Sequence, residues 1–99
     1  MNFRYSIALA LIALVGCAGK EEPSGAELAV EKGCVACHGY NGRSIAPTFP
    51  NLDGQWETYL RLQLMAYRAG TRDNAIMTDQ AAALTDAEIR ALARHFSGG

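Results

Sequence analysis

The chain has 99 residues, room for one domain with a small core. It is 49% hydrophobic and 19% charged, with a formal net charge of -1. That balance excludes the basic footprint of a nucleic-acid-binding protein.

Residues 1–16 read as an export signal, not as fold. Arg4 supplies the charged start, and Ile7 to Val15 is an unbroken apolar run. The run is too short to span a bilayer comfortably. It ends at Leu14-Val15-Gly16-Cys17, which resembles a bacterial lipobox. That resemblance implies cleavage before Cys17 and a diacylglycerol on its thiol, with the new amino terminus usually acylated. The competing reading is an ordinary secretory signal with an incidental Cys, or an uncleaved anchor. Several acyl chains anchor stably where one is marginal. Residues 17–24 are then a lipid-anchored tether, polar from Ala18 to Pro23. Seven residues reach at most about 25 Å, so the domain from 25 to 99 would stay close to the membrane.

Ser24-Gly25-Ala26-Glu27 has the spacing of a capping box and opens a helix to about Lys32. Ala26, Ala29 and Val30 mark its expected buried side. Residues 39–52 read as loop and extended chain, because Pro47 and Pro50 disfavour helix. A longer helix follows from about Gln55 to Ala69, with Asp53 as expected N-cap and Gly70 as its stop. Its apolar spacing runs through Trp56, Tyr59, Leu60, Leu64 and Tyr67, widened by Leu62 and Met65. Residues 71–78 read as loop, with a possible helical turn over 79–83. Thr85-Asp86-Ala87-Glu88 is a second capping box. It starts a last helix, about Asp86 to Phe96, with Ile89, Leu92 and Phe96 on one face. The fold class is therefore all-α, about four short helices.

One motif organises these elements. Cys34-Val35-Ala36-Cys37-His38 is C-x-x-C-H, the attachment signature of a c-type haem. Each thiol adds to one vinyl group of the haem, and the adjacent His reaches the iron. A thioredoxin-like C-x-x-C needs a preceding strand, and none is read here. A structural zinc site needs four ligands. With Cys17 assigned to lipid and Cys34 and Cys37 to haem, no Cys remains for a disulfide.

The chain resembles a class I cytochrome c of the small bacterial monohaem type, whose domains also occur in dihaem pairs. The matching residues, in order, are Cys34-x-x-Cys37-His38-Gly39, Pro50-Asn51-Leu52-x-Gly54-Gln55, Tyr59-Leu60-x-x-Gln63-Leu64, Gly70-x-Arg72, Met77, and Leu84-Thr85-Asp86-x-Glu88-Ile89. The resemblance implies a class I cytochrome c fold with one covalent haem c, its first and last helices crossing near the haem. It implies His38 and a Met as axial iron ligands. It also implies that a proline carbonyl, here Pro50 with Pro47 as fallback, accepts a hydrogen bond from the free nitrogen of the haem His. The stretch from His38 to Met77 is short for the family, which implies trimmed loops.

Met77 is the expected second ligand. Met1 leaves with the signal, and Met65 sits within the long helix, where Met usually fills a core. His95 is the rival, but its place near a helix end suits a surface cation. A His/Met pair fills both iron positions and leaves a one-electron carrier, not an enzyme. The alternative is a haem sensor or haem enzyme with an open position. A purely structural lipoprotein would leave Cys37-His38 without a purpose. The expected setting is the periplasmic or cell-surface face of a membrane, with periplasmic or membrane redox proteins as partners and the bilayer held through Cys17.

Cys17→Ser is expected to abolish lipid labelling at this site and to prevent lipoprotein processing. Intact mass of the wild-type protein checks it: an unmodified Cys17 would contradict the reading.

Overall fold

Ser24 starts the first helix because its hydroxyl accepts the Glu27 amide at 3.1 Å, satisfying a donor the helix itself leaves open. The structure, a computed structural model, describes residues 23–98. The expected signal, the lipid site at Cys17 and most of the tether lie outside the described residues. The described residues form five helices and no strand: α1 Gly25–Glu31, α2 Val35–His38, α3 Glu57–Ala69, α4 Met77–Ala81 and α5 Asp86–Phe96. The extra helix is α2, a single turn formed by the C-x-x-C-H motif itself. Only four residues long, it has no apolar period of its own to read.

The core is made by α1, α3 and α5 together with the segment entering α5. Leu28 and Ala29 from α1 and Leu60 from α3 meet Ile89, Leu92, Ala93 and Phe96 from α5, with Ala81 and Leu84 beside them. The α5 residues fall at i, i+3, i+4 and i+7, one stripe of a 3.6-residue helix. Full burial of a leucine such as Leu28 or Leu92 contributes roughly 1.5–3 kcal/mol. Leu28 is fully buried, whereas Ala26 and Val30 are exposed, so the buried face of α1 differs from the expected one. The cause is Gly25. It approaches α5 so closely that a Cβ there would strike the Ala91 carbonyl and lie 2.6 Å from His95 Cβ. Gly25, Leu28 and Ala29 therefore form the seam, and a glycine is invisible to an apolar count.

The start of α3 also differs. Trp56, not Asp53, occupies the N-cap, and no side chain caps it. Asp53 instead pairs with Arg43 at 3.1 Å, within the loop that closes on Gly42. Trp56 is 81% exposed and Leu62 51%, while Leu60 is buried and Leu64 and Tyr67 pack against the core. Ion pairs tie the frame: Lys32 to Glu88 at 3.6 Å joins α1 to α5, and Arg68 to Asp86 at 2.7 Å joins α3 to α5. Arg68 also donates to the Leu84 carbonyl at 3.0 Å. Such surface pairs contribute about 0–1 kcal/mol each, so they set alignment more than stability.

The start of α5 carries a complete capping box. Glu88 N donates to Thr85 Oγ1 at 3.1 Å, and Thr85 N donates back to the Glu88 carboxylate at 2.9 Å. At Ser24 the box is only half closed: the hydroxyl donates to the Glu27 carboxylate at 3.2 Å. The amide of Thr85, together with the Lys32 ammonium, holds the Glu88 carboxyl below its ordinary value.

Two outcomes follow. Gly25→Ala should destabilise the haem-loaded protein by about 1–3 kcal/mol through overpacking against α5, read from its denaturant midpoint. The depressed Glu88 carboxyl contributes stability above its unfolded pKa of about 4.3, and this is lost as pH falls through the folded value. Glu88→Gln should therefore flatten the acid limb of the stability profile below about pH 4.3, measured by melting at stepped pH.

Candidate functional site

Gly33 follows α1, and the chain coils at once into α2. This carries Cys34 and His38 to the wall of a cleft. The cleft and the open solvent at its mouth together amount to about 960 Å³ of empty space. Its walls bring together Cys34, His38, Pro50, Leu60, Leu64 and Met77 from four separate stretches of the chain. Cys37 lies outside that wall, partly exposed, one turn after Cys34 in the same coil. Burial pushes the Cys34 thiol above its ordinary pKa.

His38 is buried, 7% exposed. Its Nδ1 donates to the Pro50 carbonyl at 2.9 Å, which fixes the tautomer and leaves the Nε2 lone pair free. The Phe96 ring stands edge-on to the imidazole, centroids 6.3 Å apart, so α5 braces the ring from a second side. The carbonyl is itself held in place. Asn51 Oδ1 accepts the Ser44 amide at 2.7 Å, and the Gly42 carbonyl accepts the amides of Leu52 at 2.6 Å and Asp53 at 3.1 Å. Pro47 lies outside the cleft wall.

Met77 also lines the cleft, but not from a loop. It is the first residue of α4, which begins two residues before the expected helical turn. Asn74 is responsible. Its Oδ1 accepts the amides of Ile76 and Met77, both at 3.0 Å, and its own amide donates to Thr78 Oγ1 at 3.0 Å. An Asn three residues before Met77 was the readable signal for this cap. Met65 is 38% exposed and outside the cleft. His95 is outside it too, its Nε2 donating to the Tyr40 carbonyl at 2.7 Å.

Some wall residues are not among the expected ligands or attachment points. Phe96 is one. Gln63 and Tyr67, on the same side of α3 as Leu60 and Leu64, are others. A glutamine interrupting an apolar stripe is the sequence trace of a face that lines a cleft instead of a dry core. Among the described residues no three His, Cys, Asp or Glu side chains converge on a common point, which leaves the zinc reading without ligands.

A largely apolar cleft suits a flat apolar ring. Cys34 on its wall, with Cys37 one turn on, would hold such a ring covalently, and His38 offers a free lone pair to a metal at its centre. These features define a c-type haem protein. The Cytochrome c family model matches residues 23–97. The chain belongs to that family, and its cofactor is a covalently bound haem c containing iron.

Among its relatives, cytochrome c-554(548) of Halomonas halodenitrificans is 46% identical over 67 residues, covering 65% of this chain and 81% of that protein. The thiosulfate dehydrogenase electron acceptor of Stutzerimonas stutzeri is 45% identical over 67 residues, covering 65% of this chain but 31% of that one. The solved structure of Acidithiobacillus ferrooxidans cytochrome c4 superposes with a TM-score of 0.69 at 28% identity, over 83% of this chain and 53% of that one. The chain therefore spans most of the first relative and a third to a half of the other two.

Cys37→Ser is expected to yield little stable haem protein, because a haem would fill the cleft that the helices frame. Haem colour retained by the chain after denaturing electrophoresis, compared with total yield, checks it; a normal yield of folded, haem-free protein would contradict it.

Proposed function

We propose that the protein is a membrane-tethered one-electron carrier of a respiratory or related electron-transfer chain, with His38 and Met77 as axial ligands. The carrying observation is the convergence of Cys34, His38 and Met77 on one cleft, with His38 oriented by Pro50. A haem c supplies a metal that changes charge by one electron without a bond being made or broken in the protein. The chain's own residues do the rest. Cys34 and Cys37 would hold the ring, and the Pro50 carbonyl keeps the His38 ring in one orientation and raises its basicity. Asn74 fixes the start of α4 and with it the backbone of Met77. A thioether is a soft, neutral donor and favours the reduced state.

Among the described residues no carboxylate and no second His line the cleft. This favours a carrier over a sensor or enzyme with an open iron position. The relative named as an electron acceptor is consistent with this role. The setting is the exported face of a membrane, held by lipid on Cys17, with periplasmic or membrane redox proteins as partners. No described helix is long and apolar enough to cross a membrane.

The oxidised protein should show the weak near-infrared sulfur-to-iron charge-transfer band. It should survive Met65→Leu and His95→Ala and vanish in Met77→Ala with a fall in reduction potential. Loss of the band in Met65→Leu alone would move the ligand to Met65 and undo the assignment.

A further inference from the structure

The Gly70-x-Arg72 motif has no role in the ligand set, yet its geometry is specific. Gly70 adopts φ 81°, the left-handed conformation that lets a chain turn back at a helix end. The amides of Thr71 and Arg72 then both return to the Ala66 carbonyl, at 3.0 and 3.2 Å. This directs the Arg72 side chain back along α3. Its guanidinium carbon sits 4.7 Å from the centroid of the Tyr67 ring, and Nη1 donates to Gln63 Oε1 at 2.5 Å. All three residues line the cleft.

Charge makes this arrangement informative. Two cations, Lys32 and Arg72, stand on the cleft wall, and no carboxylate does. Lys32 already pairs with Glu88. Among the described residues no carboxylate lies within ion-pair distance of Arg72, and the neighbouring Asp73 accepts the Thr78 hydroxyl at 3.2 Å. Only Nη1 is used by Gln63. The Nε and Nη2 edge is left for the paired hydrogen bonds with which a guanidinium grips a carboxylate. The cofactor brings such groups, since a haem carries two propionates.

We propose that Arg72, stacked on Tyr67 and tied to Gln63, receives a haem propionate at the mouth of the cleft. This rests on the cytochrome c reading. Arg72 would balance the propionate charge, which otherwise favours ferric iron, and so keep the reduction potential higher. Tyr67 and Gln63 are positioning residues: they hold the guanidinium plane and leave its free edge toward the cleft.

The test uses purified haem-loaded protein. Resonance Raman of the ferrous form reads the propionate bending band, which responds to hydrogen bonding at the carboxylate. Arg72→Gln should shift that band and lower the reduction potential. Arg90→Gln, which removes an exposed arginine of α5 outside the cleft, should change neither. Arg72→Lys keeps the charge but not the fork, so it should hold most of the potential while still shifting the band. If Arg72→Gln loads too poorly to measure, Arg72→Lys and Gln63→Leu carry the test through the same band. An unshifted band in loaded Arg72 variants would overturn the proposal and leave the haem reading intact. Wild-type protein without covalent haem would overturn the haem reading itself, and this assignment with it.

Discussion

The hydrogen bond from His38 Nδ1 to the Pro50 carbonyl ties the coil of α2 to the loop before α3, alongside the backbone bond from the Ile45 amide to the Cys37 carbonyl. It commits one ring nitrogen to the chain and frees the other. A neutral imidazole has one donor and one acceptor, so the partner of the first decides what the second can do. The loop exists to hold that carbonyl still. Asn51, Gly42 and the Arg43–Asp53 pair pin it at three points. Phe96 then closes the remaining freedom of the ring from α5.

The helices serve this arrangement more than they serve themselves. None of the five is long, and a helix of 7 or 11 residues is marginal alone in water. Side-chain caps at the starts of α1, α4 and α5, and packing of the helices on one another, stabilise them. Close approach of α1 to α5 at Gly25 brings the motif that follows α1 beside Phe96. Contact of α3 with both α4 and α5 sets the opposite wall. Apolar residues that a dry core would bury, such as Leu64 and Tyr67, instead border the cleft. The helices thus frame a cleft that a haem would fill.

Much of this was legible. The last helix starts at its capping box and runs the length of its apolar stripe, because both signals are local and agree. C-x-x-C-H named the cofactor because its chemistry demands that spacing. What escaped was mostly non-local, and the one local case, the cap of α4, carries no periodic signal. The buried face of α1 depends on a glycine whose value lies in what α5 presents to it. Asp53 looked like a cap but was claimed by Arg43, ten residues earlier in the chain. The early start of α4 is set by Asn74, whose side chain reaches two amides at once. Tyr67 looks like an ordinary member of the α3 stripe, and Gln63 like a break in it, until Arg72 folds back upon them. In each case the deciding partner was distant in sequence or had no periodicity.

If His38 and Met77 both bind the iron as proposed, they would close its two faces and leave it only electrons to exchange. Exposure of the reduced protein to carbon monoxide tests this most directly, since the gas binds ferrous haem wherever a position is open. The account predicts a visible spectrum that stays unchanged under carbon monoxide, together with full reoxidation by a one-electron acceptor. Prompt formation of a carbon monoxide complex in the folded protein would contradict it and point to an open site for ligand binding or catalysis.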